Sequence, residues 1–398
     1  MEIKNKIKQL AAAQAGKVIE VRRHLHSHPE LSFKEFETAK YVAAILREFG
    51  MEPQEGIAGT GVSVLIQGRN PEKKSIALRA DMDALPIHET NNIPYKSLNA
   101  GVMHACGHDV HTSSLLGTAA ILNEIKNDFE GTVKLIFQPG EEVAPGGASM
   151  MIREGILKNP APKSIFAQHV TPLLPVGKIG FREGLYMASA DELYITVHGK
   201  GGHAAMPDKN IDPVLIASHI IVALQQIVSR RATPTIPSVL SFGKFIANGA
   251  TNIIPDEVKI EGTFRTLNEN WRREAKEKMK KLAEGLAESM GGSCDFKIVH
   301  GYPFLYNDIA LTKRSKNHAI EYMGAENVVD LDIWMAAEDF AFYSQQIDSC
   351  FYRLGVRNEQ KGIISNVHTS TFNIDEDALE TGAGLMAWIA VRELQSTD

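Results

Sequence analysis

Nine residues, Met103 to His111 (MHACGHDVH), gather one thiol, three imidazoles and a carboxylate. Cysteine thiolate and neutral histidine are the donors that borderline-soft divalent metals prefer. Cys106 and His108, with Gly107 between them, can reach one ion from a turn. The plainer alternative makes Cys106 a small buried hydrophobe and each histidine a satisfied polar residue. Further candidates follow apolar runs that read as strands: Asp81 and Asp83 in RADMDALP, Glu141 and Glu142 in FQPGEE, and His169 in FAQHV; His368 lies in a late loop, NVHTSTF. Taken singly, a DxD pair is as readily a turn or helix cap, tandem glutamates are usually solvated, and His169 or His368 is structural. Taken together they supply two carboxylate pairs, two histidines and the Cys-His pair, from the loops where open α/β sheets hold ligands. That total suits a two-metal hydrolytic centre. There, ions about 3.5–4 Å apart share a bridging ligand, and a free carboxylate moves protons.

The elements that must position these groups follow from periodicity. Residues 5–28 read as a helix ending at His28-Pro29, and 33–49 as a second, apolar at helical period and stopped by Gly50. Residues 62–68, 75–80, 132–138 and 164–170 are nearly continuous apolar runs, as expected of strands covered on both faces of a mixed or parallel sheet. Thr112 to Ile125 reads as a crossover helix. From about Glu183 the texture changes: strands at 191–200, 238–247, 257–266 and 293–301 alternate apolar and polar residues, with helices at 213–229 and 270–290. That order, β-α-β-β-α-β, is ferredoxin-like. Residues 350–355 and a helix from Asp375 return to the first texture. The expectation is an α/β catalytic domain over 1–182 and 302–398, interrupted by a second domain at 183–301.

Composition narrows the class of function. A chain of 398 residues is long enough for two domains. Its 42 basic and 48 acidic side chains give a net charge of −6, leaving no basic excess for nucleic acid. Three scattered cysteines imply no disulfide framework and fit a reducing cytoplasm, and the charged first turns read as neither signal peptide nor membrane span. Two histidine clusters compete with the proposed centre. His24, His26 and His28 fall on different faces of a helix and read as structural. His104, His108 and His111 have the spacing of a helix-borne site, but Gly107 weakens a helix there and the glutamate of an HExxH pattern is missing. Glu338 and Asp339 in MAAEDFAFY read as helix-start acids.

In chain order the sequence carries RRHLHSHPELSFKE, RADMDALPI, MHACGHDVHT, FQPGEE, GKGGHAAMP, TNIIPD and GTFRT. With these motifs it resembles, over essentially its whole length, the amidohydrolase branch of the aminoacylase and metallo-carboxypeptidase superfamily. That branch includes hippurate hydrolases, N-acetyl-amino-acid deacetylases and auxin-conjugate hydrolases. The resemblance implies a dinuclear-metal, phosphorylase/hydrolase-like catalytic domain with a mixed sheet. It also implies an inserted ferredoxin-like lid that makes a homodimer, or a tetramer built from it. By motif, Cys106 would bridge the ions as thiolate, His108 and His169 would complete one, and Glu142 and His368 the other. Glu141 would be the general base that deprotonates metal-bound water and passes the proton to the departing amine. Asp83 would orient a ligand from behind. The wider superfamily has histidine at the position of Asp81 and a bridging aspartate at that of Cys106, so the role of Asp81 stays open. A thiolate bridge admits Mn²⁺, Zn²⁺, Ni²⁺ or Co²⁺. His203, which by itself reads as a turn histidine, would stabilise the oxyanion in the partner subunit's site. Asn252 and Arg265 would hold the substrate carboxylate, for which an arginine fork is suited.

The expected protein is therefore a cytoplasmic, dimeric metal-dependent amidohydrolase acting on N-acetyl, N-benzoyl or similar N-acyl amino acids, with no nucleic-acid or membrane partner. The alternatives are a dipeptidase or carboxypeptidase of the same superfamily, and a catalytically silent binding member.

Overall fold

Strands Ser75–Asp81 and Thr132–Gln138 are buried at every position, which is why their sequences are mostly apolar. The computed structural model describes residues 2–396. They divide into two units: 2–184 with 306–332 and 342–396, and 185–305 with 333–341.

In chain order the elements of the first unit are α1 (Glu2–Ser27), α2 (Phe36–Glu48), β1 (Gln54–Ile57), β2 (Gly61–Gln67), β3 (Ser75–Asp81), α3 (His108–Glu124), β4 (Thr132–Gln138), β5 (Ser164–Pro175) and β6 (Ile179–Phe181). The second unit contributes β7 (Asp191–His198), α4 (Pro213–Gln226), β8 (Ser238–Ile246), β9 (Glu257–Thr266), α5 (Glu269–Ser289) and β10 (Ser293–His300). The chain then returns through α6 (Ile309–Met323), β11 (Val328–Asp330), β12 (Asp348–Arg357) and α7 (Asp377–Gln395).

The first unit is an α/β fold on an eight-stranded mixed sheet, ordered β1-β2-β4-β3-β5-β12-β6-β11. Its middle, β4-β3-β5-β12, is parallel throughout, and β2 joins β4 antiparallel. Helix α3 is buried from His108 to Leu122, as a helix covered on all sides must be. Helix α1 carries two polar residues into that interior. Arg22 Nε donates to Asp109 Oδ2 at 2.8 Å, and His26 Nδ1 donates to the same oxygen at 2.8 Å. His26 Nε2 lies 3.2 Å from Glu89 Oε1. This is the structural role expected for the HLHSH tract.

In the second unit the sheet order is β8-β9-β7-β10, antiparallel throughout. With α4 and α5 this is the β-α-β-β-α-β arrangement. Buried Leu193, Ile195, Val258, Ile260 and Phe264 meet Ile216, Ile220, Leu224 and Met279 from the helices. Both helices start on side-chain caps: Asp212 accepts from Val214 N and Leu215 N, and Asn268 from Trp271 N. The stretch Pro213–Arg231 is long and apolar enough to cross a membrane by length and composition; here it seats Ile216, Ala217, Ile220, Leu224 and Ile227 in this core.

Two boundaries differ from expectation. The units part after residues 184 and 305 rather than 182 and 301. Residues 333–341, expected in the returning half, belong to the second unit, because Trp334 N donates to Tyr186 O and Ala188 N to Ala336 O.

The Arg22–Asp109 pair is fully buried, and removing one partner strands the other charge in the core. Asp109→Ala is expected to cost about 3–5 kcal/mol in urea unfolding. For His26, burial and Arg22 lower the pKa, but Asp109 and Glu89 outweigh them and raise it. A raised folded pKa adds stability that is full below the unfolded value of about 6.5 and is lost as pH rises through the folded one. His26→Gln should therefore flatten the decline of the urea midpoint as pH rises above about 6.5; an unaltered slope would show that His26 is neutral in the fold.

Candidate metal centre

Parallel pairing sets Asp81 opposite Gln138 and Arg79 opposite Ala167. His169, two residues past Ala167, is therefore level with Asp81, and β12 places Arg353 beside it. From this one row the chain runs into Asp83 after β3 and into Pro139–Glu142 after β4. The strand bearing His169 was expected to end at 170, but β5 continues to Pro175. His169 is thus a mid-strand residue at a position where its neighbour β3 stops.

The remaining donors come from the turn before α3. Gly107 has φ 87°, and a Cβ there would meet Val170 Cγ2 at 2.5 Å. Only glycine adopts this conformation cheaply, and it lets Cys106 and His108 aim at one region from either side of it. Helix α3 begins at His108, four residues before the expected start. His104 consequently lies in the loop, and the three histidines do not form a helix-borne site. The late loop is tied in by His368 N, which donates to Ala105 O at 2.7 Å. His368 itself sits at φ 61°, a strained conformation for a non-glycine residue.

The donor atoms converge in groups within 4.8 Å of one another. Cys106, His108 and His169 form one group, Cys106, Glu142 and His368 a second, and the thiol belongs to both. Cys106 Sγ is 3.5 Å from His169 Nε2 and 3.3 Å from His368 Nε2, and His368 Nε2 is 3.3 Å from Glu142 Oε1. Glu141 joins His108 and Glu142 in a third group, and Asp81, His108 and His111 form a fourth.

A second layer fixes the imidazoles. His108 Nδ1 donates to Asp83 Oδ1 at 3.1 Å, turning Nε2 toward Asp81 Oδ2 at 3.8 Å and Glu142 Oε1 at 3.9 Å. His169 Nδ1 donates to Val170 O at 2.7 Å, leaving Nε2 for the thiol side. This backing of one ring nitrogen is usual for metal-ligating histidine. Asp81 accepts from Arg79 at 2.6 Å and from His111 Nδ1 at 2.5 Å, while His111 Nε2 accepts from Val170 N at 2.9 Å. That chain explains Asp81, which sequence left open. Arg79 is not among the residues expected here, and His111, considered only as part of a helix-borne cluster, instead backs Asp81.

Electrostatics fit a cation here. Burial and Glu142 push the Cys106 thiol up, and His368 is raised to about 10 by Cys106 and Glu142. Burial would lower His108, but Asp81, Cys106 and Asp83 raise it well above its ordinary value. Burial and Arg353 push His169 well below its own. His108 Nε2 is fully buried yet has no hydrogen-bond partner among the described residues. A buried imidazole nitrogen without a partner, beside a thiol and two carboxylates, is what a divalent ion satisfies.

The second unit holds the other sequence-derived candidates. His203 pairs with Ile253, and Ala204 N donates to Asn252 O at 3.0 Å, so His203 and Asn252 share one exposed loop cluster. Ala205 N donates to His203 Nδ1 at 3.1 Å, which leaves the ring proton on Nε2. Arg265 lies on β9 opposite Val239, away from that loop pairing, and its pKa is lowered by burial. Glu338 and Asp339 are buried rather than solvated helix-start acids, and the Glu338 carboxylate accepts from Phe340 N at 2.9 Å.

Comparison with known proteins agrees with this architecture. The pattern of peptidase family M20/M25/M40 matches residues 77–392. The chain is 38% identical over 395 residues to thermostable carboxypeptidase 2 of Saccharolobus solfataricus, covering 98% of each. It is 39% identical over 384 residues to N-acetylcysteine deacetylase of Bacillus subtilis, covering 96% of this chain and 97% of that one. The crystal structure of the YXEP protein of Bacillus subtilis, described as a dinuclear metal binding peptidase, matches with a TM-score of 0.81 and 37% identity, across 96% of this chain and 99% of the other. With its mixed-sheet α/β fold and its buried thiol-imidazole-carboxylate cluster, the chain belongs to peptidase family M20/M25/M40 and is a metal-dependent hydrolase of amide bonds.

Proposed function

We propose that this protein hydrolyses N-acyl amino acids to a carboxylate and a free amino acid, with Cys106, His108, Glu142, His169 and His368 holding two divalent ions and Glu141 acting as general base. The observation that carries the reading is the sharing of Cys106 between two donor groups, with Glu141 in a third beside them. When bound, the ions would act as Lewis acids on the amide carbonyl and the attacking water. The mixed sulfur, nitrogen and oxygen donors suit Mn²⁺ or Zn²⁺, and also Ni²⁺ or Co²⁺.

The chain's own residues have distinct tasks in this scheme. Glu141 takes a proton from the attacking water and delivers it to the departing amine nitrogen. Asp83 keeps His108 in the tautomer that exposes Nε2. His203, with Nδ1 occupied by Ala205 N, offers Nε2–H to the developing oxyanion. Asn252 and Arg265, which lie apart within one chain, would hold the substrate carboxylate from different subunits of the dimer. The second unit would serve as lid and dimer contact in a cytoplasmic homodimer, with His203 serving the partner's site. The likeness to a carboxypeptidase favours a second reading, in which the acyl group is itself a peptide; the carboxylate anchor serves both.

Amino-acid release from N-acetyl, N-benzoyl and indole-acetyl amino acids and from dipeptides, measured on chelator-stripped enzyme with each metal added back, separates the two. Restored cleavage of acyl amino acids supports the first reading. Cleavage of peptides alone supports the second, and silence with every metal and substrate would reject both. Glu141→Gln is expected to lower kcat by about 10²–10⁴-fold while bound metal stays at the wild-type level. Cys106→Ser should instead reduce bound metal, read by elemental analysis; wild-type metal content together with a wild-type rate would rule out a bridging thiolate.

A further inference from the structure

The motif HPELSFKE, His28 to Glu35, supplies no donor to the metal groups, yet it is bonded to the loop of Asp83, which backs His108, and to the turn that carries Glu141 and Glu142. Ser32 Oγ donates to Asp83 Oδ2 at 2.6 Å, and the same oxygen accepts from Glu142 N at 3.0 Å. Ala84 N donates to Glu30 O at 2.8 Å, fastening the segment beside Asp83. Glu35 is fully buried and spends all its bonding inward. Its Oε1 accepts from Phe33 N and Gly140 N, each at 2.8 Å, and its Oε2 from Thr60 Oγ1 at 2.7 Å.

The two backbone groups it joins are both in the left-handed region, Phe33 at φ 63° and Gly140 at φ 58°. For Phe33 that conformation is unfavourable and persists only where surrounding structure enforces it. The Phe33 ring lies directly on Gly140, where a Cβ would come within 2.3 Å of it. One carboxylate oxygen therefore locks a strained residue of the first loop against the turn that leads into Glu141 and Glu142. An error of about 1 Å in such a turn would be felt as a large loss of rate.

We propose that Glu35 is a positioning residue: it sets the Pro139–Glu142 turn so that Glu141 meets the attacking water. The proposal rests on Glu141 as base. Glu35→Asp retracts the carboxylate from Gly140 and keeps its charge, whereas Glu35→Gln keeps the length and an acceptor oxygen. The expected result is a fall in kcat of about 10- to 100-fold for Glu35→Asp, with KM and bound metal unchanged, and a rate restored close to wild type in Glu35→Gln. Thr60→Val removes only the bond on the far oxygen, and should lower the unfolding midpoint without lowering kcat. A wild-type kcat in Glu35→Asp, or a kcat that falls only in step with bound metal, would overturn the proposal, as would equal losses in Glu35→Asp and Glu35→Gln. Glu141→Gln is measured alongside. If it turns over normally, the base assignment itself fails. If it is inactive while Glu35→Asp is fully active, only the role of Glu35 fails.

Discussion

Asp81 ends a strand that is buried along its whole length, with no solvent to support its charge. An isolated carboxylate in that position would be strongly unfavourable. It is tolerated because Arg79, two residues earlier on the same strand, and His111 of α3 donate to its two oxygens. The same holds one step outward: Asp83 needs His108, Ser32 and Glu142 N, and His111 in turn needs Val170 N. Compensation of buried charge thus fixes the start of α3, the extension of β5 and the approach of two loops. The fold around the centre is specified by polar satisfaction at least as much as by apolar packing.

What could be read from sequence follows the same division. Strands β3, β4 and β5 were legible because burial on both faces leaves nearly pure apolar runs, and the alternation of β7 and β9 because one face is wet. The donor residues stood out because a thiol, imidazoles and carboxylates directly after such runs have few other uses. Glu35, Ser32, Arg79 and His111 were not legible as parts of the centre. For Glu35, Ser32 and His111 the partners lie 30 to 105 residues away, which no local pattern encodes; Arg79 bonds Asp81 two residues on, but one arginine in an apolar run does not reveal that bond. The placement of 333–341 was hidden for the same reason, since backbone bonds to Tyr186 and Ala188 decide it. The β5 boundary was misjudged because polar residues at His169 and Thr171 resemble a strand end.

The polar layers also separate two kinds of stability. Arg22, His26 and Asp109 join α1 to the first turn of α3 through bonds that are fully buried, so they resist exchange with water and hold the global fold. The His368 loop is different. It is half exposed and strained at one residue, and it is held by backbone bonds to Ala105 and Thr90. His368 is therefore the most exposed donor of the set, whereas His108 and His169 are buried.

Gly107 carries an implication for redesign. Its backbone conformation and the space beside Val170 each exclude a side chain. The chemistry of the centre can therefore be retuned by exchanging the atoms on either side, sulfur for oxygen or imidazole for carboxylate, without touching the scaffold. The residue with no side chain is the one that cannot be exchanged. A transplant of this centre into another sheet would have to carry the turn first and choose its donors afterwards.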